Sequence, residues 1–119
     1  MEKTFKLLYQ DLIKNISISG NPHEKFLFKS RSHTIIAFCT ASEENMTLEK
    51  VCEKLPHKIV SRSTIQSILK EGVANNFFIK EVDQKDKRQK VYNLTDMSRR
   101  LLENWLVKQK KFIETAKVA

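Results

Sequence analysis

The apolar residues of the chain recur at two different periods, and the change of period separates predicted helices from predicted strands. In residues 2–18 they fall three and four positions apart, which predicts an amphipathic helix with Phe5, Leu8, Tyr9, Leu12 and Ile13 on one face. The turn-forming residues 19–22 predict the end of this helix. The next stretch, HEKFLFK (residues 23–29), has no clear period and is predicted as a short extended piece or a loop.

Two shorter helices are predicted in the next part of the chain. A dense apolar cluster predicts the first, from near Ser30 or Ser32 to Ala41, and a polar break follows it. Thr47 is a suitable N-cap for the second, because its hydroxyl can accept a hydrogen bond from a backbone N–H of the first helical turn. Pro56 ends this helix, since proline cannot continue the ladder of backbone hydrogen bonds.

The helix predicted to begin at Ser61 has an unusual outward face. Ile65, Ile68 and Leu69 are predicted to point into the core. The outward positions carry hydroxyls, an amide and basic groups instead of mixed Glu and Lys: Ser61, Arg62, Ser63, Thr64, Gln66, Ser67 and Lys70. Such groups bind phosphate oxygens and base edges. We therefore predict that Arg62 and Gln66 contact bases, whereas Ser61 is interpreted first as an N-cap.

Two extended runs with a charged loop between them predict a β-hairpin. Residues 77–82 and 90–94 contain good strand formers, and the gap between them suits a hairpin with a long loop. The stretch DQKDKRQKVYNLTD (residues 83–96) is strongly charged, which alone is typical of a solvated loop. Thr95 is the predicted cap of a final helix, whose apolar stripe comprises Leu101, Leu102, Trp105, Leu106, Phe112 and Ile113.

This order of elements indicates a mainly α chain with a small β-hairpin, an α+β winged helix-turn-helix. With 119 residues the chain has the length of one domain, so residues 1–119 are predicted as a single domain. Within it, about residues 30–95 form the predicted DNA-binding lobe, and helices at about residues 2–18 and 95–116 flank that lobe. Only two glycines and two prolines are present, which favours long helices over a many-turned β fold.

The charge balance indicates the class of partner. A net charge of +8 and a pI near 9.6 attract polyanions, namely nucleic acid or an acidic membrane surface, although a basic surface can also serve solubility alone. Polar residues interrupt the N-terminal apolar pattern, and no stretch approaches the length of a membrane span. We therefore expect a cytoplasmic protein without membrane contact, associated with the nucleoid when DNA-bound.

The segment SRSTIQSILKEGVANNFFIKEVDQKDKRQKVYNLTD (residues 61–96) resembles the recognition helix and wing of MarR-like transcriptional regulators. The matching features are the hydroxyls that open the helix, the apolar pair before the first wing strand, the charged wing tip and the Leu-Thr step: Ser61, Thr64, Phe77, Phe78, Asp86, Lys87, Arg88, Leu94 and Thr95. Asn76 departs from the family pattern, which usually has glycine there. The resemblance implies a homodimeric transcription regulator that binds double-stranded DNA.

The wing tip carries the predicted backbone and minor-groove contacts. The negative potential of the minor groove favours an arginine, and Arg88 is the candidate for that role. Asp86 is predicted to accept from the Arg88 guanidinium and hold it, a use that the resemblance also implies. Lys85, Lys87 and Lys90 are predicted to neutralise phosphates. The alternative is that Asp86 and Arg88 form an ordinary exposed ion pair worth at most about 1 kcal/mol.

The first and last helices carry more apolar surface than a small core can bury. A monomer seldom exposes a patch of that size, so pairing across a two-fold axis is expected. The predicted dimerisation residues are Phe5, Leu8, Leu12, Trp105, Leu106, Phe112 and Ile113. Pairing of this kind would place two recognition helices over half-sites about 10 base pairs apart.

Enzyme chemistry, metals and cofactors find little support in the residues. The three histidines are scattered, and the chain has no Cys-x-x-Cys pair and no phosphate-cradling glycine loop. Cys39 and Cys52 are interpreted as reduced, unreactive core residues. Two rival functions stay open: a winged-helix module that binds a protein, and a phage or plasmid replication or partition protein that binds DNA. The sequence neither specifies nor excludes a small-molecule effector.

Overall fold

The structure of the chain, a computed structural model, describes residues 1–17 and 22–118. It gives every side chain in these ranges except those of Leu12, residues 14–17, Phe112 and residues 115–118. The turn predicted at residues 19–21 therefore lies outside the described residues. In order along the described chain are α1 (Glu2–Ser17), α2 (Pro22–Leu27), α3 (Arg31–Ser42), β1 (Met46–Thr47), α4 (Leu48–Lys54), α5 (Arg62–Ala74), β2 (Phe78–Val82), β3 (Lys90–Leu94) and α6 (Asp96–Val118).

Hydroxyl side chains begin four of the helices. In each case the cap oxygen accepts a hydrogen bond from the backbone N–H three residues later, which satisfies one of the unpaired donors of the first turn. The capping residues are Ser30, Thr47, Ser61 and Thr95. The predictions for Thr47, Ser61 and Thr95 are thereby confirmed, and α3 begins within the range that the sequence predicted.

The segment predicted as extended or as a loop is instead helical, so that prediction was wrong. Helix α2 begins at Pro22, whose fixed φ suits the first position of a helix, and Glu24 lies in its first turn. Phe26 and Leu27 are buried at its end. A helix of six residues is too short to display a 3.6-residue period, which explains why the pattern did not identify it.

The sheet has three antiparallel strands in the order β1–β3–β2, one more than the predicted hairpin. Strands β2 and β3 pair from Phe78 opposite Leu94 to Val82 opposite Lys90. The two-residue β1 adds to the other edge of β3. Next to it, Asn45 and Asn93 join through two hydrogen bonds of 2.9 and 3.0 Å, which fix the start of the added strand. Asn45 has a φ of 58°, which Asn tolerates better than most residues.

The hydrophobic core lies where α3, α4 and α5 pack against the sheet. Ile36, Val51, Ile65, Leu69 and Phe78 are all buried there. Burial of each such side chain contributes roughly 1.5–3 kcal/mol. The core thus holds α5 and the β2–β3 hairpin in a fixed relation.

Helix α1 packs against α6, whose first turns join this core through the buried Leu102. The molecule measures 53 × 29 × 24 Å, and its radius of gyration of 16.1 Å exceeds the about 13.5 Å expected of a compact chain of this length. We refer to α1 and α6 together as the arm, and to β2, β3 and residues 83–89 between them as the wing.

Candidate nucleic-acid interface

Helix α5 presents a polar face that spans its whole length. Ile65, Ile68, Leu69 and Gly72 are buried, so the opposite side of the helix faces solvent. The exposed positions on that side are Arg62, Ser63, Gln66, Ser67 and Lys70, and Thr64 beside them is half-buried. These are residues that the sequence predicted as DNA contacts, and the helix holds them on one surface.

Ser61 is engaged at the helix start. Its hydroxyl accepts from the Thr64 backbone N–H at 3.3 Å, and it lies 3.2 Å from the hydroxyl of Ser63 and 2.9 Å from that of Thr64. Ser61 is therefore an N-cap, as interpreted from the sequence. The three hydroxyls form a local network at the end of the helix where free N–H groups favour an anion.

Arg62 is not a free side chain, because it pairs with Glu49 of α4. Nη1 of Arg62 lies 3.1 Å from Oε2 of Glu49, and Nη2 contacts Oε1. The hydrogen bonds from Arg62 lower the pKa of the Glu49 carboxyl, and the same bonds raise the pKa of the guanidinium. Glu49 was not predicted as a site residue, because a single sequence does not show which residue of one helix faces which residue of the next.

A cleft of about 440 Å³ lies between the first turn of α3 and the face of α5. Hydroxyls line it from both sides, namely Ser30, Ser32, Ser63, Thr64 and Ser67. At its end, Nδ1 of His33 is 2.6 Å from the Ser30 hydroxyl and Nε2 is 3.6 Å from the Glu71 carboxylate. The two α3 hydroxyls of this cleft, Ser30 and Ser32, were predicted only as the place near which a helix begins, and not as part of a site.

The loop of the wing is organised by its two aspartates. Oδ1 of Asp83 accepts from the Lys85 backbone N–H at 3.1 Å, and Oδ1 of Asp86 accepts from the Arg88 backbone N–H at 3.1 Å. The same Asp86 oxygen lies 3.2 Å from Nε of Arg88, while the Arg88 side chain is 91 % exposed. Asp86 thus holds Arg88 as predicted, and the terminal nitrogens point into solvent-accessible space at the tip.

Three lysines surround that arginine. Lys85, Lys87 and Lys90 are exposed along the loop and at the start of β3. With Lys80 of β2, the wing therefore presents five cationic side chains, of which Arg88 is oriented by a carboxylate. An isolated exposed pair such as Asp86–Arg88 contributes little to stability, so its consequence is the orientation of Arg88.

The wing is tied to α5 through the turn between them. Asn76 has a φ of 63°, the left-handed conformation that glycine or asparagine adopts most readily. The following residue, Phe77, donates from its backbone N–H to the Gly72 carbonyl at 2.8 Å. Thr95 in turn donates from its backbone N–H to the Phe77 carbonyl at 3.2 Å. Helix α5, the wing and the start of α6 are consequently linked by these two backbone hydrogen bonds.

The arm carries exposed apolar side chains. Phe5 is 62 % exposed, Leu106 50 % and Ile113 52 %, and Leu8 is half-buried. The side chains of Leu12 and Phe112, also predicted for dimerisation, lie outside the described residues. Trp105 is half-buried against the rings of Phe28 and Phe38 of the same chain, with centroid distances of 5.5 and 5.9 Å.

The two thiols are part of the packed interior rather than of this surface. Cys39 and Cys52 are free and half-buried, and both pack against the core. Burial raises the pKa of each thiol, so both stay protonated at neutral pH. Among the described residues, no group of three His, Cys, Asp or Glu side chains could hold a metal ion. None of the described helices is long and apolar enough to cross a membrane.

Several solved structures share this fold. FabT of Streptococcus pneumoniae, solved in complex with DNA, superposes with a TM-score of 0.64 at 15 % identity over 99 % of this chain and 80 % of its own. YusO of Bacillus subtilis gives a TM-score of 0.60 at 15 % identity over 94 % and 77 % of the two chains. MarR of Staphylococcus aureus, in complex with salicylate and kanamycin, gives 0.54 at 20 % identity over 96 % and 79 %.

These likenesses confirm the winged-helix fold and the predicted resemblance to MarR-like proteins at the level of fold. They extend over nearly the whole chain, whereas the segment that carried the resemblance in the sequence covers only residues 61–96. No protein-family model matches the sequence, and no curated protein resembles it significantly. At identities of 12–20 %, the likeness over nearly the whole chain is visible in the fold and not in the overall sequence.

Proposed function

We propose that the protein is a sequence-specific regulator of transcription that binds double-stranded DNA as a homodimer. The observation that carries the proposal is the exposed face of α5, where hydroxyl, amide and basic side chains replace the mixed acidic and basic residues of an ordinary surface helix. The same fold has been solved in a complex with DNA, which supports this class of ligand.

In the proposed complex, α5 lies in the major groove. A helix fits a groove about 12 Å wide, and 13 residues span about 20 Å. Gln66 projects near the middle of the exposed face, where its amide can bind an adenine through two hydrogen bonds. Ser63, Ser67 and Lys70 bind phosphates on either side of the groove and set the register of the helix.

The wing is proposed to lie along the backbone with Arg88 at the minor groove. Asp86 holds the Nε edge of Arg88, and the terminal nitrogens stay available for the groove. Lys85, Lys87 and Lys90 neutralise phosphates, which accounts for part of the net charge of +8. These contacts supply affinity, while α5 supplies selectivity.

Homodimer formation through the arm is supported by its exposed apolar residues. Phe5, Leu106 and Ile113 are each at least half exposed, and the molecule is elongated. Burial of these side chains against a second copy removes about 25 cal/mol of unfavourable free energy for each Å². A two-fold dimer would read a pseudo-palindromic site with half-sites about 10 base pairs apart.

The test is a fluorescence anisotropy titration of labelled duplexes over a range of salt concentrations. A duplex selected from a random library is compared with a random duplex, and wild type with the variant Gln66→Ala. We expect binding that weakens steeply with salt and is at least about a thousandfold tighter on the selected duplex. Gln66→Ala should lose preference at one or two base pairs.

Three outcomes would change the proposal. Equal affinity for every duplex would refute sequence specificity, and a lack of binding at low salt would refute DNA binding and favour a protein partner. A selected site that lies at an origin of replication or a partition locus would replace transcription control with the replication or partition function. Sedimentation of the free protein tests the homodimer separately.

A further inference from the structure

The contact between Glu49 and Arg62 joins the two helices of the helix-turn-helix at the end that would enter the groove. Arg62 is the first residue of α5, and Glu49 is the second residue of α4. Both terminal nitrogens of the guanidinium meet both carboxylate oxygens, so the pair is bidentate. Both side chains remain substantially exposed, so the contact is not part of the core.

This pairing uses two of the five N–H donors of the arginine and leaves three outside it. A guanidinium has five N–H donors in a rigid plane. The contact with Glu49 engages one N–H of each terminal nitrogen, and the edge formed by Nε–H and the second N–H of Nη2 takes no part in it. Two parallel donors on one edge are the arrangement that O6 and N7 of guanine accept in the major groove.

The carboxylate also changes what Arg62 prefers to bind. The pair carries no net charge, so it gains little from the sequence-independent attraction to phosphates. Glu49 further repels a phosphate that approaches the guanidinium. At the same time it removes rotameric freedom from a long side chain, so less entropy is lost when a base is bound. A held and neutralised arginine therefore favours selectivity over general affinity.

We propose that Glu49 is a positioning residue that holds Arg62 for the recognition of a guanine at the N-terminal end of α5. This inference rests on the proposed function, since it needs α5 in the major groove. It assigns to an acidic residue of the preceding helix a part in base selectivity. Arg62 makes the base contact, and Glu49 acts through it.

The experiment selects duplexes from a random library with wild type, Arg62→Ala and Glu49→Ala, and then measures anisotropy on the selected duplex and on versions with each guanine replaced. Glu43→Ala is the matched control, because Glu43 is likewise a partly exposed glutamate paired with a cation, in its case Lys50 of α4 at 2.7 Å. In wild type and Glu43→Ala, replacement of one guanine should weaken binding about tenfold or more. In Arg62→Ala and Glu49→Ala the same replacement should cost less than about threefold.

A second readout separates positioning from a structural effect. Glu49→Ala should bind random duplex more tightly than wild type, because a negative charge has left the surface that faces the phosphates. Arg62→Lys keeps the charge but loses the fork, so it should lose the guanine preference without lowering the salt slope. Thermal melting followed by circular dichroism verifies that each exposed-site variant is folded.

The outcomes distinguish the inference from the proposed function. A full guanine penalty in Glu49→Ala, with its loss in Arg62→Ala, would overturn the positioning role and leave Arg62 acting alone. If replacement of the guanine weakens binding as much in both variants as in wild type, neither Arg62 nor Glu49 takes part in base recognition. Selective binding of DNA by wild type would then still support the proposed function. Absence of DNA binding by wild type would overturn both.

Discussion

Gly72 should be difficult to replace, although it lies in the last turn of α5, inside a helix where alanine is normally preferred. At an open position, Gly→Ala stabilises a helix by about 1 kcal/mol. Here a Cβ built on Gly72 would lie 2.1 Å from Cδ2 and 2.6 Å from Cε2 of Phe78 in β2. The helix and the first wing strand touch at this point, so the substitution sets helix propensity against packing.

The magnitude follows from the displacement that Phe78 would need. Its ring would have to retreat by about 1.5 Å to restore an ordinary carbon–carbon separation of about 3.6 Å. Phe78 is buried, and its ring also contacts the ring of Phe26 with a centroid distance of 5.7 Å. Overpacking of this kind costs about 1–3 kcal/mol, which outweighs the gain in helix propensity. We expect Gly72→Ala to lower the free energy of unfolding by about 1 kcal/mol, because an overpacking cost of about 2 kcal/mol exceeds a propensity gain of about 1 kcal/mol.

Urea unfolding at fixed protein concentration, followed by circular dichroism, measures this change. A matched pair at the exposed position Lys70, Lys70→Gly and Lys70→Ala, gives the propensity difference in the same helix without a packing partner. Gly72→Ala combined with Phe78→Leu should recover part of the loss, since the smaller side chain relieves the contact. A Gly72→Ala variant as stable as wild type or more stable would refute the close packing of α5 against the wing.

Three further expectations concern the wing, the arm and the stability at acid pH. Arg88→Ala should weaken binding to all duplexes and reduce the slope of log affinity against log salt concentration by about one. Lys110→Ala on α6 is the control and should leave both unchanged. An unchanged slope in Arg88→Ala would exclude Arg88 from the interface. Trp105→Ala should lower the free energy of unfolding by about 2 kcal/mol in a urea titration, because its ring packs on Phe28 and Phe38, and it should weaken the dimer in sedimentation. An unshifted urea midpoint would contradict this packing of Trp105. An intact dimer would show that the dimer interface lies elsewhere. Hydrogen bonds from Lys50, and to a smaller extent from Lys54, lower the pKa of the Glu43 carboxyl. The ionised carboxylate therefore stabilises the fold above pH 4.5, and this stabilisation is lost as the pH falls through the lowered pKa. The melting temperature of Glu43→Gln should therefore fall less steeply below pH 4.5 than that of wild type. If the two proteins show the same dependence of melting temperature on pH, the contact between Glu43 and Lys50 does not contribute to stability.

Periodicity and caps predicted most of the fold because the signals are local. Thr47, Ser61 and Thr95 each bind a backbone N–H three residues away, so their role can be identified in a short window. Helix α2 and strand β1 escaped because they are too short to show a period. Strand β1 exists only through pairing with β3, a contact between distant parts of the chain.

The candidate interface was predictable in its residue types but not in its pairings. The exposed residues of α5 and the Asp86–Arg88 contact follow from helical spacing and from proximity in sequence. The Glu49–Arg62 pair depends on the path of the chain between α4 and α5, which the spacing of apolar residues does not determine. The prediction that Trp105 dimerises remains to be tested, and its packing on Phe28 and Phe38 was not visible in the stripe of α6.

Strand β3 pairs with β2, which is close to it in sequence, and with β1, which is distant in sequence. This difference has a consequence for the order of folding. Pairing of Val82 with Lys90 closes a loop of about 8 residues, whereas pairing of Thr47 with Val91 closes one of about 44, at an extra entropic cost of about 1.5 kcal/mol. The hairpin can therefore form early and from local contacts, while β1 joins only after α4 and α5 have condensed. Loss of β1 would leave the hairpin paired, because β2 and β3 pair along their whole length.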